Sequence, residues 1–142
     1  MKKLIAKTAT VIVAATLGLV ASPSQAHHAF AAEFDAAKPV KVTGTVTKLR
    51  FVNPHSWIFI DVKNPDGTVT NWGFEFGTPA SLDNAGLTKQ DFRPGAVITL
   101  AGFRSKNGGP FGHATKTTLA DGRSIGTGSA PDEPTVAGKR AN

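Results

Sequence analysis

The most constraining stretch of this chain is Val52-Asn53-Pro54-His55-Ser56-Trp57-Ile58-Phe59-Ile60-Asp61-Val62. Pro54 has no N–H to donate and pushes Asn53 toward an extended backbone, so the stretch opens as a tight corner. The residues from Trp57 onward are β-branched and aromatic, as a strand requires. Their alternation puts Ile58, Ile60 and Val62 on one face and Trp57, Phe59 and Asp61 on the other. Both faces of the first half are apolar, which predicts a central strand and not an edge.

The flanks extend the same pattern. Val40 to Val46 alternates with Val40, Val42, Gly44 and Val46 inward, and after Lys48 the apolar phase moves to Leu49 and Phe51. That shift predicts a bulge in one long, curved first strand. Asn64-Pro65-Asp66-Gly67 has the residues of a hairpin turn. The return strand, Thr68 to Phe76, sets Thr70, Trp72, Phe74 and Phe76 on the core face and Asn71, Gly73 and Glu75 opposite. Thr78 as N-cap, Pro79 at the first helical position and Gly86 past the end predict a short helix, and Thr88 caps one further turn to Phe92. A fourth strand runs from Ala96 to Phe103. A fifth, Phe111 to Leu119, is of modest apolarity and is expected at an edge. Three meandering strands, a helical connection and two more strands predict an all-β domain with one short helix, a five-stranded OB-like barrel. A half-open β-roll is the alternative.

The ends differ in composition. Lys2, Lys3 and Lys7, then the apolar run Val11 to Val20, then Ser24-Gln25-Ala26, have the order of an export signal over residues 1–26. Its apolar run is too short to remain as a stable membrane span. Cleavage there places the protein in the periplasm and begins the mature chain at His27. Residues 27–38 are expected to form an N-terminal arm, 39–125 the OB-like domain, and the Gly-, Ser- and Pro-rich 126–142 a disordered tail. Losing three of the sixteen basic residues and none of the ten acids takes the net charge from +6 to +3. That charge is spread along the chain without a basic run, which argues against nucleic acid as a partner. The chain has no Cys, and its one Met is the initiator, so thiolate catalysis, disulfides and thioether copper ligation are excluded from the mature protein.

His27-His28-Ala29-Phe30-Ala31-Ala32-Glu33-Phe34-Asp35, Lys41 to Val46, Asn53-Pro54-His55-Ser56-Trp57 and Asn71-Trp72-Gly73-Phe74-Glu75 together resemble a group of small exported bacterial proteins known as a domain of unknown function. The resemblance runs from about His27 to Ile125. It implies export and a small β-domain, and it carries no activity and no catalytic residues.

The sharpest chemistry lies at the new N-terminus. A mature His27 offers an α-amine and an imidazole that close a chelate on one ion, and His28 adds a second imidazole. This arrangement resembles the histidine brace of lytic polysaccharide monooxygenases and of some periplasmic copper carriers. It makes copper the expected metal, with His55 or His113 as the distant imidazole and Glu75 or Asp61 as an oxygen donor. The bland alternatives are solvated N-terminal histidines, a His55 that only holds its corner, and an exposed His113. Trp57 and Phe59 either form, with Glu75, a face for a small ligand or a periplasmic protein partner, or pack beneath Phe30 and Phe34 of the arm; packing is the preferred reading. Trp72, Phe74 and Phe76 are expected in the core. Glu75 is expected to pair with Arg50, Lys48 or a histidine in a surface pair of small energetic value. No nucleophile elbow, phosphate loop or carboxylate pair is visible, so the sequence favours a binding protein over an enzyme.

Overall fold

A computed structural model describes residues 30–128, 130 and 132–134. The expected export signal, His27, His28 and most of the expected tail lie outside the described residues. The elements are a one-turn helix α1 (Phe30–Glu33), β1 (Phe34–Arg50), β2 (Trp57–Lys63), β3 (Val69–Glu75), α2 (Pro79–Asn84), a 3-10 turn (Lys89–Phe92), β4 (Val97–Ser105), β5 (Phe111–Thr118) and β6 (Ser124–Gly126). Among the described residues, no helix is long and apolar enough to cross a membrane.

The strands follow the order β3-β2-β1-β4-β5-β6, and a parallel pairing of β3 with β5 closes the first five into a ring. The domain is thus mostly β and barrel-like. β1 can serve two neighbours because it is 17 residues long. Its first part pairs with β4 from Phe34↔Ser105 to Thr45↔Val97, and its second part pairs with β2 from Thr45↔Asp61 to Arg50↔Trp57. The expected phase shift is present: the register slips between Val46 and Lys48, leaving Thr47 as the extra residue. β2 lies between β1 and β3, the central place its two apolar faces require.

The corner before β2 contains a cis Asn53–Pro54 peptide. The hairpin after β2 closes through Gly67 N–H to Asn64 O (3.0 Å), with Gly67 at a φ of 86°. Thr78 caps α2 through Ser81 N–H (3.1 Å), and Asp91 Oδ2 accepts from the Thr88 N–H and hydroxyl at the 3-10 turn. These two turns deliver Leu82, Leu87 and Phe92, all buried, to one end of the barrel. There Phe92 packs on Phe76 with ring centroids 5.4 Å apart. Val46, Ile58, Ile60, Phe74, Ile98 and Leu100 fill the interior. Trp72 is only partly buried, stacked on Phe74 with Arg104 over its ring.

Five expectations are corrected. β1 begins at Phe34, inside the expected arm, and a second short helix precedes it. β5 is no edge: β3, β4 and β6 all pair with it. Its low apolarity misled because its two faces are covered unequally, the inner by the core and the outer by the chain ends. A sixth strand extends to Gly126. Beyond it Thr127 is buried: its N–H donates to Thr115 O, and its carbonyl accepts from Gly77 N–H. The expected disorder therefore does not hold at Gly126 and Thr127.

Closure depends on the approach of β4 to β5. A Cβ on Gly102 would collide with the His113 backbone carbonyl. Gly102→Ala is expected to lower stability by about 1–3 kcal/mol or more, the usual cost of overpacking. Gly126→Ala, where a Cβ meets nothing closer than 3.9 Å, is the control. Chemical denaturation checks the difference; equal stability of the two variants would contradict it.

Candidate functional site

Cross-strand partners share a face of the sheet. Trp57 is paired with Glu75 and Glu75 with His113; Phe59 is paired with Gly73 and Gly73 with Phe111; Asp61 is paired with Asn71. Ile58, Ile60 and Phe74, at the alternate positions, fill the core. Trp57, Phe59, Glu75, Phe111 and His113 therefore occupy one outer face across β2, β3 and β5. Residues that the sequence offered as separate candidates lie in adjacent rows.

One end of this face is ionic and buried. Ser56 prolongs the β2–β3 ladder, donating its N–H to Gly77 O (3.0 Å) and accepting from Phe76 N–H (2.7 Å). That places His55, one residue earlier, against Glu75. His55 Nδ1 lies 3.0 Å from Glu75 Oε1, and His113 Nδ1 lies 3.4 Å from the same oxygen. His113 Nε2 lies 2.8 Å from Glu133 Oε2. His113 is 1 % exposed, Glu75 5 % and His55 8 %. Glu75 thus takes the histidine partner expected of it, but twice and in the interior, where removing one partner costs about 3–5 kcal/mol rather than the small value of a surface pair.

The cover comes from both chain ends. Phe30 and Phe34 pack their rings on His113 with centroids 5.6 and 5.2 Å away. Asp132 accepts from the N–H groups of Phe30 (2.8 Å) and Ala31 (3.2 Å), which hold its carboxyl below the usual range. Lys106 binds the other end of α1 through the Ala31 and Glu33 carbonyls. The preferred placement of Trp57 and Phe59 beneath Phe30 and Phe34 is therefore corrected. Phe34 pairs with Ser105 of β4, which carries the arm over His113 instead. An exposed His113 is corrected with it.

Burial pulls the His113 pKa down, but Glu133 and Glu75 outweigh it and raise the imidazole above its ordinary value. Nε2 is hydrogen-bonded to Glu133, whereas Nδ1 is buried without a hydrogen bond and meets Glu75 only at ion-pair distance; carboxylates on both sides of the ring suit an imidazolium. His55 is different. Its Nδ1 is the nitrogen turned to Glu75, and a carboxylate in that position is what fixes Nε2 as the coordinating atom in metal-ligating histidines. Among the described residues, no group of three or more His, Asp or Glu is placed to hold a metal ion. A metal at His55 therefore needs donors from outside them.

The middle of the face is aromatic. Trp57 and Phe59 are stacked at 6.4 Å and 23°, and Phe111 stands edge-on to Trp57 at 6.5 Å and 77°. Gly73 makes room for this: a Cβ there would lie 2.9 Å from Phe111 and 3.0 Å from Phe59. Phe111 and Gly73 were not singled out from the sequence, although the alternation Phe111-x-His113 carries the signal. Glu133 gave none, since it lies in a stretch whose composition reads as unstructured.

These features define a small, barrel-like β domain with a carboxylate–imidazole cluster buried beneath residues 30–34 and 132–133. The chain belongs to a family of unknown function (DUF6152), which it matches over residues 15–114. The match includes His55, Glu75 and His113 and stops short of Glu133. Neither a curated protein nor a solved structure matches the chain.

Because the folded state raises the His113 pKa, it binds more protons than the unfolded chain. The stabilisation from His113 is fully present below the ordinary value of 6.5 and is lost as pH rises through the raised one. Denaturation at a series of pH values is expected to show stability falling as pH rises above 6.5 in the native chain. Glu133→Gln should flatten that fall, and an unchanged slope would contradict the assignment.

Proposed function

We propose that this is an exported, periplasmic protein that binds a transition metal, most simply copper, where the mature N-terminus meets His55. Its role in this reading is storage or delivery. The observation that carries it is the buried His55–Glu75 pair, in which Glu75 also meets the His113 on which the anchored Phe30 packs. Glu75 orients His55 so that Nε2 is the ligating nitrogen. Three residues of chain extend at most about 11 Å, so a chain starting at His27 keeps its α-amine and two imidazoles near the fixed point that Phe30 provides. His27 and His55 are the principal ligands in this reading, with His28 as an adjacent donor. His113, turned to two carboxylates, serves as their counter-cation and not as a ligand. The raised proton affinity of His113 supports that division.

A second reading, a module that holds a non-metal ligand or protein partner on the same outer face, is favoured by the way Phe111 joins Trp57 and Phe59 across Gly73.

Copper(II) titration followed by EPR tests the first reading on chain shown by mass spectrometry to begin at His27. One equivalent should give a nitrogen-rich signal. One extra N-terminal residue, or His55→Ala, should weaken binding at least about tenfold, the loss of one strong ligand. Equal, weak binding by all three forms would contradict it.

A further inference from the structure

The second reading can be taken to a ligand class. We propose that the Trp57–Phe59–Phe111 surface binds a small planar aromatic carboxylate, stacked on the rings with its charge toward Lys48 and Arg50. The inference rests on that second reading and is independent of the metal.

Register places the cations. Arg50 is the cross-strand partner of Trp57 and Lys48 that of Phe59, so both cations share the aromatic face along its β1 border. Both are exposed, and among the described residues neither side chain makes an ion pair or hydrogen bond. The acids at the two ends of the strip, by contrast, already have partners. Asp61 accepts from Asn71 Nδ2 at 2.8 Å, and Glu75 is buried against two imidazoles. The charge left without a partner along the aromatic strip is positive.

The rings themselves select for flatness. Trp57 and Phe59 lie nearly parallel, half-buried along β2, and offer a floor. Phe111, 38 % exposed, stands at right angles as a wall. A planar ring laid on the floor turns its edge to the face of Phe111, which satisfies both the stacked and the edge-on preferences of aromatic pairs. A carboxylate on that ring meets two cations with no competing partner. Electrostatic complementarity of this kind supplies selectivity as well as attraction.

The two tryptophans make the test internal. In a proton–nitrogen correlation spectrum of the full mature chain, the indole of Trp57 reports on the face. The indole of Trp72, stacked on Phe74 beneath Arg104, is the control. Titration with naphthoate should shift the Trp57 indole and leave that of Trp72 in place. Uncharged naphthol should bind at least about tenfold more weakly, and added salt should weaken naphthoate binding. The double substitution Lys48→Ala/Arg50→Ala, which removes exposed side chains only, should reduce naphthoate binding to the naphthol level. Phe111→Ala should weaken both. Equal binding of naphthol and naphthoate would overturn the proposal while leaving an apolar binding face. A Trp57 indole unmoved by either would overturn both the proposal and the reading beneath it. An uncharged oligosaccharide such as cellohexaose binding more tightly than naphthoate would also overturn it, in favour of a sugar platform.

Discussion

A single carboxylate on the outer face of the barrel is the point on which the two ends of the described chain converge. Glu75 is paired with Trp57 on one side and His113 on the other, an outward position from which a glutamate ordinarily meets water. Here it lies against His55 and His113 and is almost wholly buried. A charge withdrawn from water must be matched by charges and hydrogen bonds, or it destabilises the fold. The two imidazoles supply part of that match. Glu133 engages the second nitrogen of His113, and Phe30 and Phe34 exclude water from it. Asp132 and Lys106 then fix the helix that carries Phe30. Both ends of the described chain thus converge on one buried ion cluster rather than on the apolar core.

This convergence gives the outer face two unlike ends. Toward Glu75 and His113 it is ionic, buried and covered by the anchored N-terminal segment. Toward Phe59 and Phe111 it is aromatic and open, bordered by cations that have no partner among the described residues. The boundary between them is the pair Trp57↔Glu75. A metal reading draws on the first region and a ligand reading on the second, and the shared row explains why residues from both appeared as candidates in the sequence. The energetic roles also separate. His113 contributes through charge held in the interior, whereas Trp57, Phe59 and Phe111 contribute surface left available by the absence of a side chain at Gly73.

Much of the barrel was legible because its signals are local. Pro54 marks the corner, the alternation through Val40 to Val46 and Trp57 to Val62 assigns faces, and the shift after Lys48 locates the bulge. Thr78, Pro79 and Gly86 bound α2 for reasons contained within nine residues. The site was less legible because it is made by pairings distant in sequence. Nothing near His113 announces that β5 closes against β3, so a histidine beside a glycine-rich loop read as exposed. A histidine partner for Glu75 was within reach of the sequence, but its second imidazole and the burial of the pair depend on ring closure. Asp132 and Glu133 sit among Pro, Gly and Ser, where composition carries no sign of docking. Phe30 and Phe34 mark the arm as apolar, but its path along β4 follows from the Phe34↔Ser105 pairing.

The central claim is the protonation pattern that Glu133 and Glu75 impose on the two imidazoles. Long-range proton–nitrogen correlation of the histidine side chains measures it directly. At mildly acidic pH, His113 is predicted to carry protons on both ring nitrogens. His55, when neutral, is predicted to carry its proton on Nδ1 and its lone pair on Nε2. A neutral His113 under those conditions, or a His55 protonated on Nε2 alone, would contradict the account.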